Sequence, residues 1–299
     1  MNILFLGGAK RVSIAREFKS YPNVNIFSYE LSKDVPISIE ADEIIVGKRW
    51  NDSELDSDLR KIISEYKIDI VIPFVDGAVA PAARLSDVVF TPTSNETQSK
   101  LMFDKVECDK YLRNLNIAVP NGYSQYCKKH IAKPRYGSAS KGLIVFDDDS
   151  DIINDDNYLI QEFIENRREI TIDCYIEPST RKICALVSRE RLEVSGGEVT
   201  RTRTFYEKDV TDFAKIVLEK THLTGAVTIQ LIHDLDNDRL MLMEINPRLG
   251  GGVVCSIAAG VNIPFMIINN ALGRNATVVD NYKNVEMARY HSEVYFYNE

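Results

Sequence analysis

Residues 228–248, TIQLIHDLDNDRLMLMEINPR, constrain the fold of this 299-residue chain more than any other stretch. Two apolar-rich runs flank Asp236, Asn237 and Asp238, whose short polar side chains bond their own backbone, so the segment is predicted to be a β-hairpin. Side chains on a strand alternate between faces. Glu244, Asn246 and Arg248 are therefore expected on one face, with Met243 and Ile245 on the other. A three-residue loop centred on Asn237 would set Gln230 directly opposite Glu244 and on the same face. Pro247 lacks a ladder donor and ends the strand, leaving Arg248 and Gly250 to Gly252 at its rim.

Glu244, Gln230 and Asn246 offer only oxygen ligands. That suits Mg²⁺, which typically takes one or two protein carboxylates and completes its shell with phosphates and water. An amphipathic hairpin with a wet outer face would explain the same alternation. Asp234, Asp236 and Asp238 imitate the start of an EF-hand loop, but its glycine position is Arg239 and its twelfth position Ile245, which excludes calcium.

The first hundred residues alternate short β-rich runs, at 2–6, 24–29, 43–46, 68–73 and 88–91, with helical patterns at 12–18, 53–66 and 77–85. This is the texture of βαβ units and a parallel sheet. Gly7 and Gly8 follow the first strand and could cradle a phosphate, which makes a Rossmann-type oxidoreductase a rival reading. The G-x-G-x-x-G spacing fails, because Ala9 and Val12 stand where glycines are required, and a tight turn accounts for the pair. Residues 96–114 read as one helix, and a domain boundary falls near residue 98. Beyond it, strands are expected at 130–134, 143–146, 158–164, 169–176, 182–187, 200–205, 226–233 and 239–245, with helices at 209–222 and 256–272. The second part is thus α+β with an antiparallel sheet.

Two further segments carry chemistry. KPRYGSASKG, residues 133–142, places a lysine at a strand end before a loop of small residues. Backbone N–H groups of such a loop can close on phosphate oxygens, although the Walker A pattern is not matched. YLIQEFIENRREITID, residues 158–173, joins two strands by a short link with Glu162 and Glu169 on either side. A link of this kind can present backbone groups to an adenine edge and a carboxylate to ribose hydroxyls.

Charge narrows the partners. With 36 basic and 44 acidic residues the net charge is −8, a field that repels polyanions and argues against nucleic acid. No apolar run approaches the roughly 20 residues that cross a bilayer, so no membrane span is expected. The chain opens with its apolar stretch before its basic residues, the reverse of a secretory signal. Its five cysteines are scattered without C-x-x-C spacing, as reduced thiols of a cytoplasmic protein would be. The acidic stretch 147–156 reads as a solvated loop, and the four histidines form no metal spacing.

In this order the three segments resemble the ATP-grasp superfamily, most closely the branch of the carbamoyl-phosphate synthase large subunit, over nearly the whole chain. The resemblance implies an α/β plus α+β architecture: a Rossmann-like pre-ATP-grasp domain at 1–98, then a two-lobed ATP-grasp domain at 99–299. The second domain would comprise a lid at about 118–166 and an antiparallel core at about 167–299. It also implies ATP and Mg²⁺, with Mn²⁺ as a substitute. Lys105 and Lys133 match phosphate contacts, joined by Ser138 of the loop. Glu162 and Ile164 match the adenine hinge, Glu169 the ribose carboxylate, Gln230, Glu244 and Asn246 the metal ligands, and Arg248 the catalytic arginine.

The implied activity is a carbon–nitrogen ligase. A small-molecule carboxylate attacks the γ-phosphate to give an acyl phosphate, an amine or ammonia displaces phosphate, and ADP is released. A homodimer is compatible with this picture, as is an ATP-binding regulatory module that keeps the fold without turnover. A carbamoyl-phosphate synthase large subunit holds two such halves and a partner supplying ammonia. This chain has room for one, so carbamoyl phosphate synthesis is not expected. For the acceptor, Arg201 and Arg203 are candidate carboxylate holders and Asp76 a candidate cleft acid. Outward-facing strand charges and a loop cap are the plainer alternatives.

Overall fold

The computed structural model describes residues 1–124, 129–137, 141–147 and 155–297. The N-terminal part is a parallel sheet of β1 (Asn2–Leu6), β2 (Asn25–Glu30), β3 (Glu43–Val46) and β4 (Ile70–Pro73) in the order β3-β2-β1-β4. The helices α1 (Val12–Lys19), α2 (Leu55–Glu65) and α3 (Asp76–Arg84) connect it. β1 and β4 are apolar along almost their whole length because helices cover both faces of the sheet. The strand expected at 88–91 is reduced to a single bridge between Phe90 and Ile70. A 3₁₀ turn at Leu85–Asp87 takes up the preceding residues, and Pro92 cannot extend the ladder.

Residues 96–114 form two helices instead of one, α4 (Glu96–Phe103) and α5 (Lys105–Asn114). The break is at Asp104, whose backbone is extended and whose carboxylate accepts from the N–H groups of Val106 and Glu107 at 3.2 and 3.1 Å. A carboxylate that satisfies the first free donors of a new helix competes with continuation of the old one. Next comes a small antiparallel sheet of β5 (His130–Pro134), β6 (Ile144–Phe146) and β7 (Tyr158–Glu162), ordered β6-β5-β7. Ser138 and most of the acidic stretch 147–156 lie outside the described residues.

The C-terminal part is built on β8 (Arg167–Ile176), β9 (Ile183–Ser195), β10 (Glu198–Thr204), α6 (Lys208–Thr221), β11 (Gly225–Asp234) and β12 (Arg239–Asn246). It continues through α7 (Val253–Ala258), α8 (Ile263–Ala271) and β13 (Glu286–Ala288). Its antiparallel sheet runs β12-β11-β8-β9-β10-β13. The single helix expected at 256–272 is divided into α7 and α8, because Gly260 takes φ +104° and Asn262 caps the second piece. Among the described residues no helix is long and apolar enough to cross a membrane.

One face of the large sheet carries Ile170, Ile172, Ile229, Leu231, Leu242 and Ile245 and packs under α6. Part of the other face shares a core with the parallel sheet, in which Phe5, Ile14 and Phe18 meet Tyr175, Val253 and Ile267. The rest of that second face is left open, and it forms the floor of a cleft beneath the small sheet.

Candidate functional site

The floor is polar because of strand alternation. With Ile170 and Ile172 committed to the core, Glu169, Thr171 and Asp173 of β8 point the other way. Arg189 and Arg191 of β9, Thr228 and Gln230 of β11, and Glu244 and Asn246 of β12 share that second face. The cavity above it measures about 810 Å³. Asp76, Lys105, Lys133, Glu162, Ile164, Glu169, Gln230, Glu244, Asn246 and Arg248 all line it. Among the described residues, only Arg201 and Arg203 of the candidates lie elsewhere.

Gln230 faces Glu244 across the hairpin, but by a different route from the one expected. The loop is four residues, 235–238, with Asp238 in the left-handed region at φ +51°. Near the loop Asp234 pairs with Arg239, and the register shifts by one between Gln230 and Leu231. The extra residue is Met243, a β-bulge that compensates for the longer loop. The bulge also turns Met243 to the cleft instead of the core. There it joins Ile164, Ile232 and Met241 in an apolar slot suited to a flat ring.

Two lysines reach the cleft from above. Lys105 opens α5 and donates from Nζ to the main-chain oxygen of Gly137 at 2.7 Å. Lys133 is the penultimate residue of β5, is 8% exposed, and donates to Gln161 Oε1 at 2.8 Å. Burial lowers its pKa to about 8, against the opposing pull of Glu244 and Asp109. Asp104 fastens the residues after β5 to α5, accepting from Arg135 Nε at 2.9 Å and from the Tyr136 hydroxyl at 2.8 Å. The Glu162 carboxylate is held by Arg239 at 3.1 Å and by the Asn121 N–H at 2.8 Å. The Ile164 carbonyl accepts from Arg167 Nη1 at 2.6 Å.

At the rim, Arg248 Nε donates to Asp76 Oδ1 at 2.6 Å, and its Nη2 lies 3.5 Å from Asn246 Oδ1. Asp76, the first residue of α3, thus orients this guanidinium from the N-terminal part. Behind the rim, a Cβ on Gly252 would sit 2.5 Å from Arg189 Nη1. Arg189 cannot yield, because it is 1% exposed and fixed to Asp173 by bonds of 2.7 and 3.0 Å. Arg201 and Arg203 project from the sheet surface and pair with Glu286 and Glu190 at 2.6 and 2.7 Å. At Gly7 and Gly8, the turn's N–H groups bond the protein's own Glu30, at Gly8 and Ala9. Its carboxylate also accepts from Ser28 at 2.7 Å.

Sequence reasoning missed Asp104, Arg239 and Arg191. Arg191 projects onto the cleft floor, and its Nη1 donates to Gln230 Oε1 at 3.1 Å. The alternation Arg189-Glu190-Arg191 is visible in the sequence, but only the pairing of β9 with β8 says which face it serves.

Among the described residues no group of three or more His, Cys, Asp or Glu could hold a metal by itself. One carboxylate and two amide oxygens, with lysines across the cleft, fit a hard cation that arrives with an anionic ligand.

Residues 154–293 match the family model described as "ATP-grasp in the biosynthetic pathway with Ter operon". No curated protein matches the chain. Among solved structures, the N5-carboxyaminoimidazole synthetase of Staphylococcus aureus complexed with ADP is similar at a TM-score of 0.78 and 16% identity, over 97% of this chain and 82% of that one. The biotin carboxylase of Campylobacter jejuni, complexed with β-γ-ATP, is similar at 0.74 and 17%, over 94% and 73%. The biotin carboxylase domain of the Hydrogenobacter thermophilus 2-oxoglutarate carboxylase, complexed with MgADP, ADP and bicarbonate, follows at 0.73 and 14%, over 91% and 70%. At these identities the likeness is one of fold.

Proposed function

We propose that this member of the ATP-grasp superfamily is a Mg²⁺- and ATP-dependent ligase that activates a carboxylate as its acyl phosphate and joins it to an amine or ammonia. The observation that carries this reading is the convergence, in one cavity, of an apolar slot, two lysines, the Gln230-Glu244-Asn246 oxygens and Arg248. Support also comes from the nucleotides named for the three similar structures.

The slot around Met243 and Ile232 would take the adenine ring, and Glu169 the ribose hydroxyls. Lys105 and Lys133 would meet phosphate oxygens, each as a point charge. Glu244, Gln230 and Asn246 would hold Mg²⁺, which when bound neutralises charge on the polyphosphate. Arg248, oriented by Asp76, would stabilise the transferring phosphoryl group.

A carboxylate oxygen forms the new P–O bond as the bond to ADP breaks. The amine nitrogen then attacks the acyl carbon, phosphate leaves, and the nitrogen loses its proton to solvent. The small sheet above the cleft would exclude water that competes for the acyl phosphate.

The test is ADP release from Mg·ATP across pooled carboxylates crossed with pooled amines, bicarbonate and ammonia included, with Glu244→Ala as the blank. A signal that depends on the pool and vanishes in the variant supports the ligase. ATP binding without ADP release in any pool would leave a nucleotide-binding module of the same fold.

A further inference from the structure

Arg191 is a charge without an adequate partner. Its side chain is 10% exposed, in the cleft floor between Glu169 and Gln230. Nε makes no hydrogen bond; it faces Glu169 Oε2 at 3.5 Å in a long ion pair, and Glu169 is held more closely by Arg167 at 3.0 Å. The remaining donors make one bond of 3.1 Å to an uncharged amide oxygen of Gln230 and one of 3.5 Å to the Gly197 carbonyl. Burial lowers the pKa of this guanidinium, an effect that Glu169 and Glu244 only offset. Arg189, two residues earlier on the same face, shows the opposite arrangement, with two bonds to Asp173. A buried cation costs stability unless a closely matched anion meets it.

The position says which anion. Arg191 bonds Gln230, which faces Glu244 across the hairpin. Arg248 stands at the other side of the same set, beside Asn246. Two guanidinium groups therefore bracket the oxygens to which the metal is assigned, one from β9 and one from the rim. Gln230 Oε1 has a second lone pair, so its bond to Arg191 leaves it able to face a cation.

We propose that Arg191 is a phosphate-binding residue that contacts the terminal phosphoryl group of the nucleotide, opposite Arg248. It thereby makes the cleft selective for nucleoside triphosphate over diphosphate. This deepens the reading given above and rests on it.

The test is calorimetric titration of Mg·ATP and Mg·ADP into the wild-type protein, Arg191→Met and Arg191→Lys, with thermal unfolding of each unliganded protein alongside. A charge-assisted hydrogen bond is worth about 1.5–3 kcal/mol, so Arg191→Met should bind Mg·ATP at least about tenfold more weakly. Mg·ADP affinity should stay within about twofold, because the group that Arg191 contacts is absent from it. Arg191→Lys should recover part of the preference, and it keeps the test open if the methionine variant does not fold. Melting temperatures that hold or rise while only Mg·ATP affinity falls separate this role from a structural one.

Equal losses for both nucleotides, or none, in a variant that still folds would overturn the proposal and leave the ligase reading standing. A wild-type protein that binds neither nucleotide would remove that reading and this inference with it.

Discussion

The turn after β1 and the cleft both gather polar groups, and they differ in who satisfies them. At the turn, the N–H groups of Gly8 and Ala9 bond the carboxylate of Glu30, which is itself bonded to Ser28. An anion site exists there and the chain fills it. Along the cleft, Lys133 hydrogen-bonds only an amide and Arg191 Nε makes no hydrogen bond, with Glu169 no nearer than 3.5 Å, around a cavity of about 810 Å³. A glycine turn is therefore a weak pointer to a ligand, whereas buried cations with only loose counter-charges beside a cavity are a strong one.

The comparison is broken first at Glu244. Glu244→Ala should lower ADP formation by about 100-fold or more, the order seen when one electrostatic stabiliser of a transition state is removed, and melting should hold. Undiminished turnover in the folded variant would move the site elsewhere.

Lys133 comes next, with an effect of both signs. Its pKa of about 8 means that the charge is lost as pH rises through that value, so Mg·ATP affinity should fall across the same window. Lys133→Met should bind Mg·ATP about tenfold more weakly at pH 7, with a flat pH profile. For stability the sign reverses. The ordinary lysine value is 10.5, so burying the charge costs stability below pH 8, and the cost fades by pH 10.5. The unliganded variant should therefore melt higher than wild type at pH 7 and lose that advantage by pH 10.5. Parallel melting curves at the two pH values would contradict the assignment.

Glu30→Ala sharpens the other half. It leaves the turn's N–H groups buried without an acceptor and should cost about 1–3 kcal/mol in denaturant unfolding, with Mg·ATP affinity unchanged. Nicotinamide-cofactor titration should give no saturable signal in wild type, and a signal that appeared would revive the dinucleotide reading. The smallest effect belongs to Arg201 and Arg203. Their exposed ion pairs with Glu286 and Glu190 are screened by solvent and contribute little, so alanine at either should leave turnover intact.

What is legible in the sequence follows the range of the interaction. The hairpin of β11 and β12 and the facing of Gln230 with Glu244 depend on two-residue alternation and a nearby turn, both visible in a short window. The bulge at Met243 is not visible, because a longer loop and an inserted residue cancel in the register and nothing local distinguishes the two routes. The breaks at Asp104 and Gly260 are written in single residues, a capping carboxylate and a glycine, which helical periodicity on either side conceals. Arg191 and Arg239 become interpretable only when β9 lies beside β8 and β12 lies near β7, contacts between distant segments. Arg201 and Arg203 show the converse: arginines on a strand suggest a ligand until the glutamates beside them are placed.

The most direct test of the central claim, that the cleft holds nucleotide through a metal, is calorimetric titration of ATP into the wild-type protein with Mg²⁺ present and with it removed by a chelator. The account predicts one saturable site whose affinity falls sharply without Mg²⁺. Saturable binding that is indifferent to Mg²⁺, or no binding in either case, would contradict it.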